Sequence, residues 1–138
     1  MIAVIDTSAL MRLFIPDGPV PDGLADLARN ASVGRDAMIA PDLMSAEAVQ
    51  VLHKKRGAGL LSSNEFKEIL KDLLAVPVKF FSHKELLLRS AELAHERKIT
   101  VYDALFLSLA ETKNAHLITA DHRLGKVARA MGLSTIES

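Results

Sequence analysis

Residues 1–10 read MIAVIDTSAL, in which an apolar run ends in a carboxylate at Asp6 and a helical segment follows. An apolar run as short as MIAVID, residues 1–6, indicates a strand that is buried on both faces of a sheet. Residues 8–15 predict a short helix that Pro16 stops, because proline has no backbone N–H to donate. The chain therefore opens with a strand that leads directly into a helix.

The same arrangement returns near the other end of the chain. HLIT at 116–119 predicts a strand, and Asp121 follows it as the cap of a last helix that ends near Gly132. Further strands are predicted at 37–41 (AMIAP) and 77–81 (PVKFF), and a short STI strand closes the chain. Strands that alternate with helices predict an α/β fold, a three-layer α/β/α sandwich with a central parallel sheet, in one domain spanning residues 1–138.

Capping signals mark the helices between these strands. Asp42 can cap a helix that runs to about Arg56, and Ser62 with Glu65 forms a capping box for a helix to about Ala75. These helices separate the second strand from the third, as a parallel sheet requires.

The helices that follow differ in how much of their surface is apolar. Residues 83–97 predict an amphipathic helix whose apolar side carries Leu87, Ala91 and Ala94. Thr100 and Asp103 form another capping box, which opens a helix to about Lys113. This helix is apolar on nearly every side, which predicts a central, buried position.

Composition excludes several classes of protein. The chain has 17 basic and 17 acidic residues, so bulk charge gives no support to nucleic-acid binding and any such site must be a local patch. The absence of cysteine excludes disulfides and thiolate metal sites, and it fits the cytoplasmic location that we expect. We expect no contact with membranes, because no segment approaches the roughly 18 uncharged apolar residues of a membrane span.

Four acidic residues are candidates for a functional site, although each also has an ordinary structural interpretation. Asp6 and Asp121 follow strands, where open α/β sheets bind ligands, but either can simply cap the next helix. Asp103 lies in the first turn of the apolar helix and can be a capping residue. Glu47 is flanked by apolar residues on one face of its helix, with Lys54 as its candidate partner.

Together, the four carboxylates meet one chemical requirement. Mg²⁺ and Mn²⁺ are hard cations that bind carboxylate oxygen. Held by a carboxylate cluster, such a cation activates water and neutralises the phosphate during phosphodiester cleavage. Four like charges brought together without a cation would repel one another and destabilise the fold. The cluster therefore implies a bound divalent cation.

Four segments carry a family resemblance: VIDTSAL at 4–10, APDLMSAEAVQVL at 40–52, TVYDALFLSLAE at 100–111 and LITADHRL at 117–124. Taken in this order and at this spacing, they resemble the PIN domain, and within that family the VapC-like toxin ribonucleases. The resemblance implies a five-stranded parallel sheet between helices and a metal-dependent endoribonuclease that cuts RNA. It also implies a homodimer and a cognate antitoxin protein encoded beside the toxin.

The resemblance assigns roles to individual residues. Asp6 and Asp103 would be the principal ligands of Mg²⁺ or Mn²⁺, and Asp121 would complete the metal site. Glu47 would position the attacking water or a second metal, so that all four acids would be catalytic. Two hydroxyl residues beside the first and last acids would support the site: Ser8 and Thr119.

The residues alone leave other functions open. A phosphatase with Asp6 as a covalent nucleophile would have a second aspartate two residues later, where this chain has Ser8. A non-enzymatic α/β module such as a phospho-accepting receiver would have an acidic pair near the first strand, which MIAVID lacks. A PIN-type nuclease can also act in RNA processing rather than as a toxin. Two basic groups can either hold RNA phosphates or face solvent: HKKR at 53–56, and Arg123, Lys126 and Arg129.

Overall fold

A five-stranded, all-parallel sheet forms the centre of the computed structural model, which describes all 138 residues. The strands are β1 (Ile2–Ile5), β2 (Ala37–Pro41), β3 (Val78–Phe81), β4 (His116–Thr119) and β5 (Thr135–Glu137). The helices are α1 (Thr7–Arg12), α2 (Leu24–Ser32), α3 (Leu43–Gly57), α4 (Ser63–Leu74), α5 (Leu87–Arg97), α6 (Val101–Lys113) and α7 (His122–Ala130). The strand order is β3-β2-β1-β4-β5, and the helices enclose the sheet in the predicted α/β/α arrangement.

Strand β1 occupies the middle of the sheet. It pairs with β2 on one side and with β4 on the other, with Val4 opposite Ile39 and Leu117. The backbone N–H of Asp6 continues this pairing by donating to the carbonyl of Ile118 at 3.1 Å. Since all strands run the same way, the residues that follow β1 and β4 meet at the same edge of the sheet.

Helix α6 is buried along most of its length, as its sequence predicts. Seven consecutive residues, from Ala104 to Ala110, are buried. The helix contacts α5 and the strands β1, β2 and β4, so both its sides are covered. Its first turn, which carries Asp103, is held against the same edge of the sheet at which β1 and β4 end.

The prediction for residues 83–97 is wrong about the buried face. A 3₁₀ turn at His83–Leu86 precedes α5, and the buried positions are Leu86, Ser90 and Leu93. Leu87, expected on the apolar side, is 40% exposed. The predicted stripe lies one position away from the observed one, because the 3₁₀ turn and the packing against α6 fix the rotation of the helix.

Two capping predictions have different outcomes. Ser62 and Glu65 form both hydrogen bonds of the capping box at the start of α4. Asp42 precedes α3 as predicted, but its side chain does not cap the helix. Its Oδ1 instead accepts from the backbone N–H of His83 at 3.1 Å and contacts Nδ1 of the same residue at 2.5 Å. The prediction for Asp42 is therefore wrong, because a partner distant in sequence binds the carboxylate.

Helix ends elsewhere differ from the predictions by a few residues. Helix α1 ends at Arg12 rather than at residue 15, because its last turn tightens into hydrogen bonds from Leu13 and Phe14 to carbonyls three residues earlier.

None of the helices is long and apolar enough to span a lipid bilayer.

Candidate active site

A cleft of about 510 Å³ opens where β1 and β4 end, and all four predicted acids line it. Asp6 reaches it from the end of β1, Asp121 from the end of β4 and Asp103 from the first turn of α6. Glu47 enters from α3, which packs against α1. The fold thus brings together four acids that are separated by up to 115 positions in the chain.

Asp6 is the most buried of the four acids, with 4% of its surface exposed. Its Oδ1 accepts from the backbone N–H of Ala9 and from Ser8 Oγ, both at 2.8 Å, and its Oδ2 accepts from Thr119 Oγ1. Burial raises the pKa of Asp6 to about 6, against the lowering effect of these hydrogen bonds, and the Asp121 carboxylate raises it further. Asp6 is thus both the N-cap of α1 and a carboxylate held at a raised pKa.

The two predicted supporting residues, Ser8 and Thr119, connect the ends of β1 and β4. Each hydroxyl donates to Asp6 and accepts a backbone N–H from the turn after β4. Ser8 Oγ accepts from Ala120 at 3.0 Å, and Thr119 Oγ1 accepts from Asp121 at 2.9 Å. Because each hydroxyl has used its one proton on Asp6, the carboxylate is fixed in one orientation.

Asp121 is the N-cap of α7, as the sequence predicts. Its Oδ1 accepts from the backbone N–H groups of Arg123 at 2.9 Å and Leu124 at 3.3 Å. Both recorded bonds fall on this one oxygen, so Oδ2 has no protein partner. The side chain therefore has an oxygen to offer to the cleft while it caps the helix.

Asp103 forms only half of the capping box predicted from sequence. Its backbone N–H donates to Thr100 Oγ1 at 3.1 Å, but its carboxylate does not bond to the Thr100 backbone in return. The half-buried carboxyl has a raised pKa because of burial first and of the Asp121 charge second, while Thr100 and Arg123 lower it. The Asp103 carboxylate thus does not cap the helix and can bind a group in the cleft.

Glu47 is bound by a residue that the sequence analysis did not single out. Thr7 Oγ1 donates to Glu47 Oε1 at 2.9 Å, and the candidate partner Lys54 makes no ion pair with it. Burial raises the pKa of Glu47, and the Asp103 charge raises it further, while Thr7 lowers it. The sequence offered one indication of this role, because Thr7 lies between Asp6 and Ser8, at the point where α1 begins at the cleft.

The four acids influence one another electrostatically. Asp121 raises the pKa of both Asp6 and Asp103, and Asp103 raises that of Glu47. Arg123 is the one cation that lowers the pKa of any of these three carboxyls. The cleft therefore concentrates negative charge that the protein leaves largely uncompensated.

The donor set fits a hard divalent cation. An ionised carboxylate offers about four lone-pair positions, and Asp6, the most heavily bonded of the acids, uses three of them. Carboxylate oxygens are the ligands that Mg²⁺ and Mn²⁺ prefer. In the structure no three acidic or histidine side chains lie close enough together to hold a metal ion. Asp103 and Glu47 are both only half-buried, so their side chains have room to change rotamer.

Three of the seven residues considered for phosphate binding make contacts within the protein. Lys55 forms an ion pair with Asp17 at 2.8 Å, and Arg56 lies 3.8 Å from the centre of the Phe66 ring. Arg129 pairs with Glu137 on β5. Arg123 differs, since it lies close enough to Asp103 to affect its pKa. Within HKKR, Lys55 and Arg56 are therefore engaged by the protein, whereas His53 and Lys54 are exposed.

The fold and the acidic cleft define the class of the protein: residues 3–130 match the PIN domain, and the chain belongs to that family. Within it, the chain is 30% identical over 125 residues to Ribonuclease VapC3 of Pyrobaculum aerophilum, a match that covers 89% of this chain and 92% of the relative. It is 33% identical over 132 residues to Ribonuclease VapC3 of Mycobacterium tuberculosis, covering 94% and 91%.

Solved structures share the fold. PAE2754 of Pyrobaculum aerophilum superposes with a TM-score of 0.71 at 24% identity, covering 96% of this chain and 82% of that one. VapBC2 of Rickettsia felis, solved with a DNA fragment from its promoter, also gives a TM-score of 0.71, at 19% identity, covering 99% and 98%. At these identities the likeness shows the fold alone, and it confirms the predicted PIN-like sandwich.

Proposed function

We propose that the chain is a metal-dependent endoribonuclease that hydrolyses RNA phosphodiester bonds and acts as the toxin of a toxin–antitoxin pair. The observation that carries this proposal is the cleft in which four carboxylates meet at the carboxyl edge of the sheet. The names of the relatives support it, since both are called ribonucleases. A PIN domain that kept only its fold would have no reason to retain four mutually repelling acids at one edge.

In this proposal Asp6, Asp103 and Asp121 hold Mg²⁺ or Mn²⁺, and Glu47 orients the attacking water or holds a second ion. A bound divalent ion supplies positive charge at the phosphate and lowers the pKa of water. Because the pKa of Asp6 is raised to about 6, this carboxyl must lose its proton before it can act as a ligand. Metal binding, and with it cleavage, should therefore weaken as the pH falls towards 6.

The residues around the acids have a positioning role. Ser8 and Thr119 hold both oxygens of Asp6 in place, and Thr7 holds one oxygen of Glu47. Precise placement of these groups reduces the reorganisation needed when substrate binds. Asp103 is only half-buried, and Thr100 is the one side chain whose hydrogen bonding lowers its pKa, so we propose that it moves most when the metal site closes.

The toxin assignment rests on what the solved relatives are called. Besides VapBC2, the fold is shared by VapC20 of Mycobacterium tuberculosis, described as a toxin that cleaves the sarcin-ricin loop, with a TM-score of 0.61 at 15% identity, covering 93% of this chain and 94% of that one. We propose by this likeness that the chain has a cognate antitoxin, acts on cellular RNA in the cytoplasm and forms a homodimer. A molar mass near 15 kDa in light scattering at micromolar concentration would contradict the dimer.

Cleavage products test the proposed chemistry. The wild type is incubated with single-stranded RNA in Mg²⁺, in Mn²⁺ and in EDTA, and the new ends are identified. Attack by a metal-activated water leaves 5′-phosphate and 3′-hydroxyl ends and stops in EDTA. Asp121→Asn should lose this activity, while Asp72→Asn, an exposed aspartate on α4, should retain it. Cyclic phosphate ends, or full activity in EDTA, would overturn the proposal.

A further inference from the structure

One wall of the acidic cleft carries a positive charge. Of the residues that line the cleft, Arg12 is the single basic one, and it is the last residue of α1. Asp6 caps the other end of this helix. The helix has 6 residues, and at a rise of about 1.5 Å per residue its two ends are separated by roughly 9 Å.

Arg12 has little to bind within the protein. Its Nη1 donates to the carbonyl of Pro19 at 2.9 Å, and it takes part in no other recorded hydrogen bond or ion pair. A guanidinium has five N–H donors, so most of its capacity is unused on a half-buried side chain. Its charge is not among the causes that shift the pKa of Asp6, Glu47 or Asp103, which indicates that it does not serve to neutralise them.

The surroundings of Arg12 favour an anion from outside the protein. Asp17, the acid that lines the same wall, is already paired with Lys55 at 2.8 Å and is not paired with Arg12. Gly18 lies against the guanidinium, so closely that an added Cβ would collide with it. The loop after α1 therefore holds the Arg12 side chain in place while leaving its donors free.

We propose that Arg12 binds a backbone phosphate of the RNA, adjacent to the phosphate that is cut. This inference rests on the proposed ribonuclease function and adds a substrate-binding residue to it. A phosphate is the anion that RNA brings into the cleft, and the planar guanidinium pairs with it through two parallel hydrogen bonds. Arg12 and Asp6 lie at opposite ends of α1, and the Arg12 guanidinium is bound to the Pro19 carbonyl in the loop beyond the helix, so we assign it to a phosphate other than the one at the metal.

Steady-state kinetics on a single-stranded RNA oligonucleotide test this role. Arg12→Gln should raise KM about tenfold and change kcat little, since it removes one charge-assisted contact that is equal in the ground and transition states. The dependence of log(kcat/KM) on log[KCl] should become shallower by about 0.7, the value for one phosphate contact on a single strand. Arg97→Gln removes the same charge from an exposed position on α5 and should change neither quantity.

Gly18→Ala provides a second variant that keeps the charge. Displacing the guanidinium should raise KM without altering melting temperature, because Gly18 lies in an exposed loop and its neighbour is the flexible end of a side chain. The inference is overturned if the wild type cleaves RNA and Arg12→Gln keeps both its KM and its salt slope. It is also overturned if the variant loses kcat alone. A wild type that cleaves no RNA in Mn²⁺ or Mg²⁺ refutes the ribonuclease proposal itself, and the phosphate assignment with it.

Discussion

Thr119 Oγ1 donates its proton to Asp6 Oδ2 and accepts the backbone N–H of Asp121 at 2.9 Å. One hydroxyl thus connects the two strand-end acids of the cleft, which lie at the ends of β1 and β4. The Thr119 bond is the strongest of the hydrogen-bonding influences that lower the Asp6 pKa against burial. The protonation of Asp6 therefore depends on a residue more than a hundred positions away in the chain.

Removing this hydroxyl should change both stability and the pH dependence of activity. Thr119→Val keeps the shape but leaves the Asp121 N–H without an acceptor, which costs about 1–3 kcal/mol of unfolding free energy. Without its lowering effect, the pKa of Asp6 should rise further, and the acid side of the pH–rate profile should shift upward. Thr119→Ser keeps the hydroxyl and should retain the stability and the pH–rate profile of the wild type. An unchanged profile in Thr119→Val would show that Asp6 protonation does not limit activity.

Asp6→Asn should abolish cleavage and alter the pH dependence of stability. The pKa of Asp6 is about 6 in the folded protein, against an ordinary value of 3.8 for an aspartate, so the folded state binds more protons between these values. The wild type should consequently lose stability, on the order of 3 kcal/mol, as the pH rises from about 4 to above 6 without metal. Asparagine does not titrate, and it caps a helix as well as aspartate does.

Thermal melts of the two proteins in EDTA, from pH 4 to pH 8, measure this difference. The stability of Asp6→Asn relative to the wild type should increase with pH across the window. The capping role of Asp6 and its bond to Thr119 are present in the structure, so the absolute difference at one pH is less informative than its slope. A difference that does not vary with pH would contradict the raised pKa.

Divalent metal should stabilise the wild type by binding only the folded state. At a concentration about 100 times Kd, Mn²⁺ or Mg²⁺ should add about 2.7 kcal/mol to the unfolding free energy. Asp103→Asn should respond much less, because it removes a proposed ligand, whereas Asp72→Asn should respond as the wild type does. Melts across a metal titration test this, and equal responses of all three proteins would exclude Asp103 from the metal site.

Thr7 should affect catalysis through Glu47. Thr7→Val removes the donor to Glu47 Oε1, so the Glu47 carboxylate is no longer held in position. We expect kcat to fall by about tenfold or more with little change in KM. Thr7→Ser keeps the hydroxyl and should restore kcat. If Thr7→Ser lowers kcat while Thr7→Val keeps it, the methyl packing of Thr7 matters rather than its hydrogen bond to Glu47.

Much of the fold was predictable because its signals are local. Strand bounds at 37–41 and 116–119 agree with the structure, and the buried character of α6 follows from its composition alone. The rotation of α5 was not predictable from periodicity, because Leu87 and Leu86 fit a helical stripe equally well. Only the packing against α6 distinguishes them.

The candidate site, like the fold, has some features that the sequence predicts and others that only the tertiary structure shows. Apolar runs that end in Asp6 and Asp121, and the capping signal at Asp103, are visible in the sequence because a strand end and a helix start are each defined by a few neighbouring residues. The partners of these acids are not visible, since side-chain hydrogen bonds depend on which strands are adjacent. Thr7 binds Glu47 across 40 positions and Thr119 binds Asp6 across 113, and only the pairing of β1 with β4 and the packing of α1 on α3 bring them together. Which acids were candidates was therefore determined locally, whereas their burial, their raised pKa values and their fixed orientations were decided by tertiary contacts.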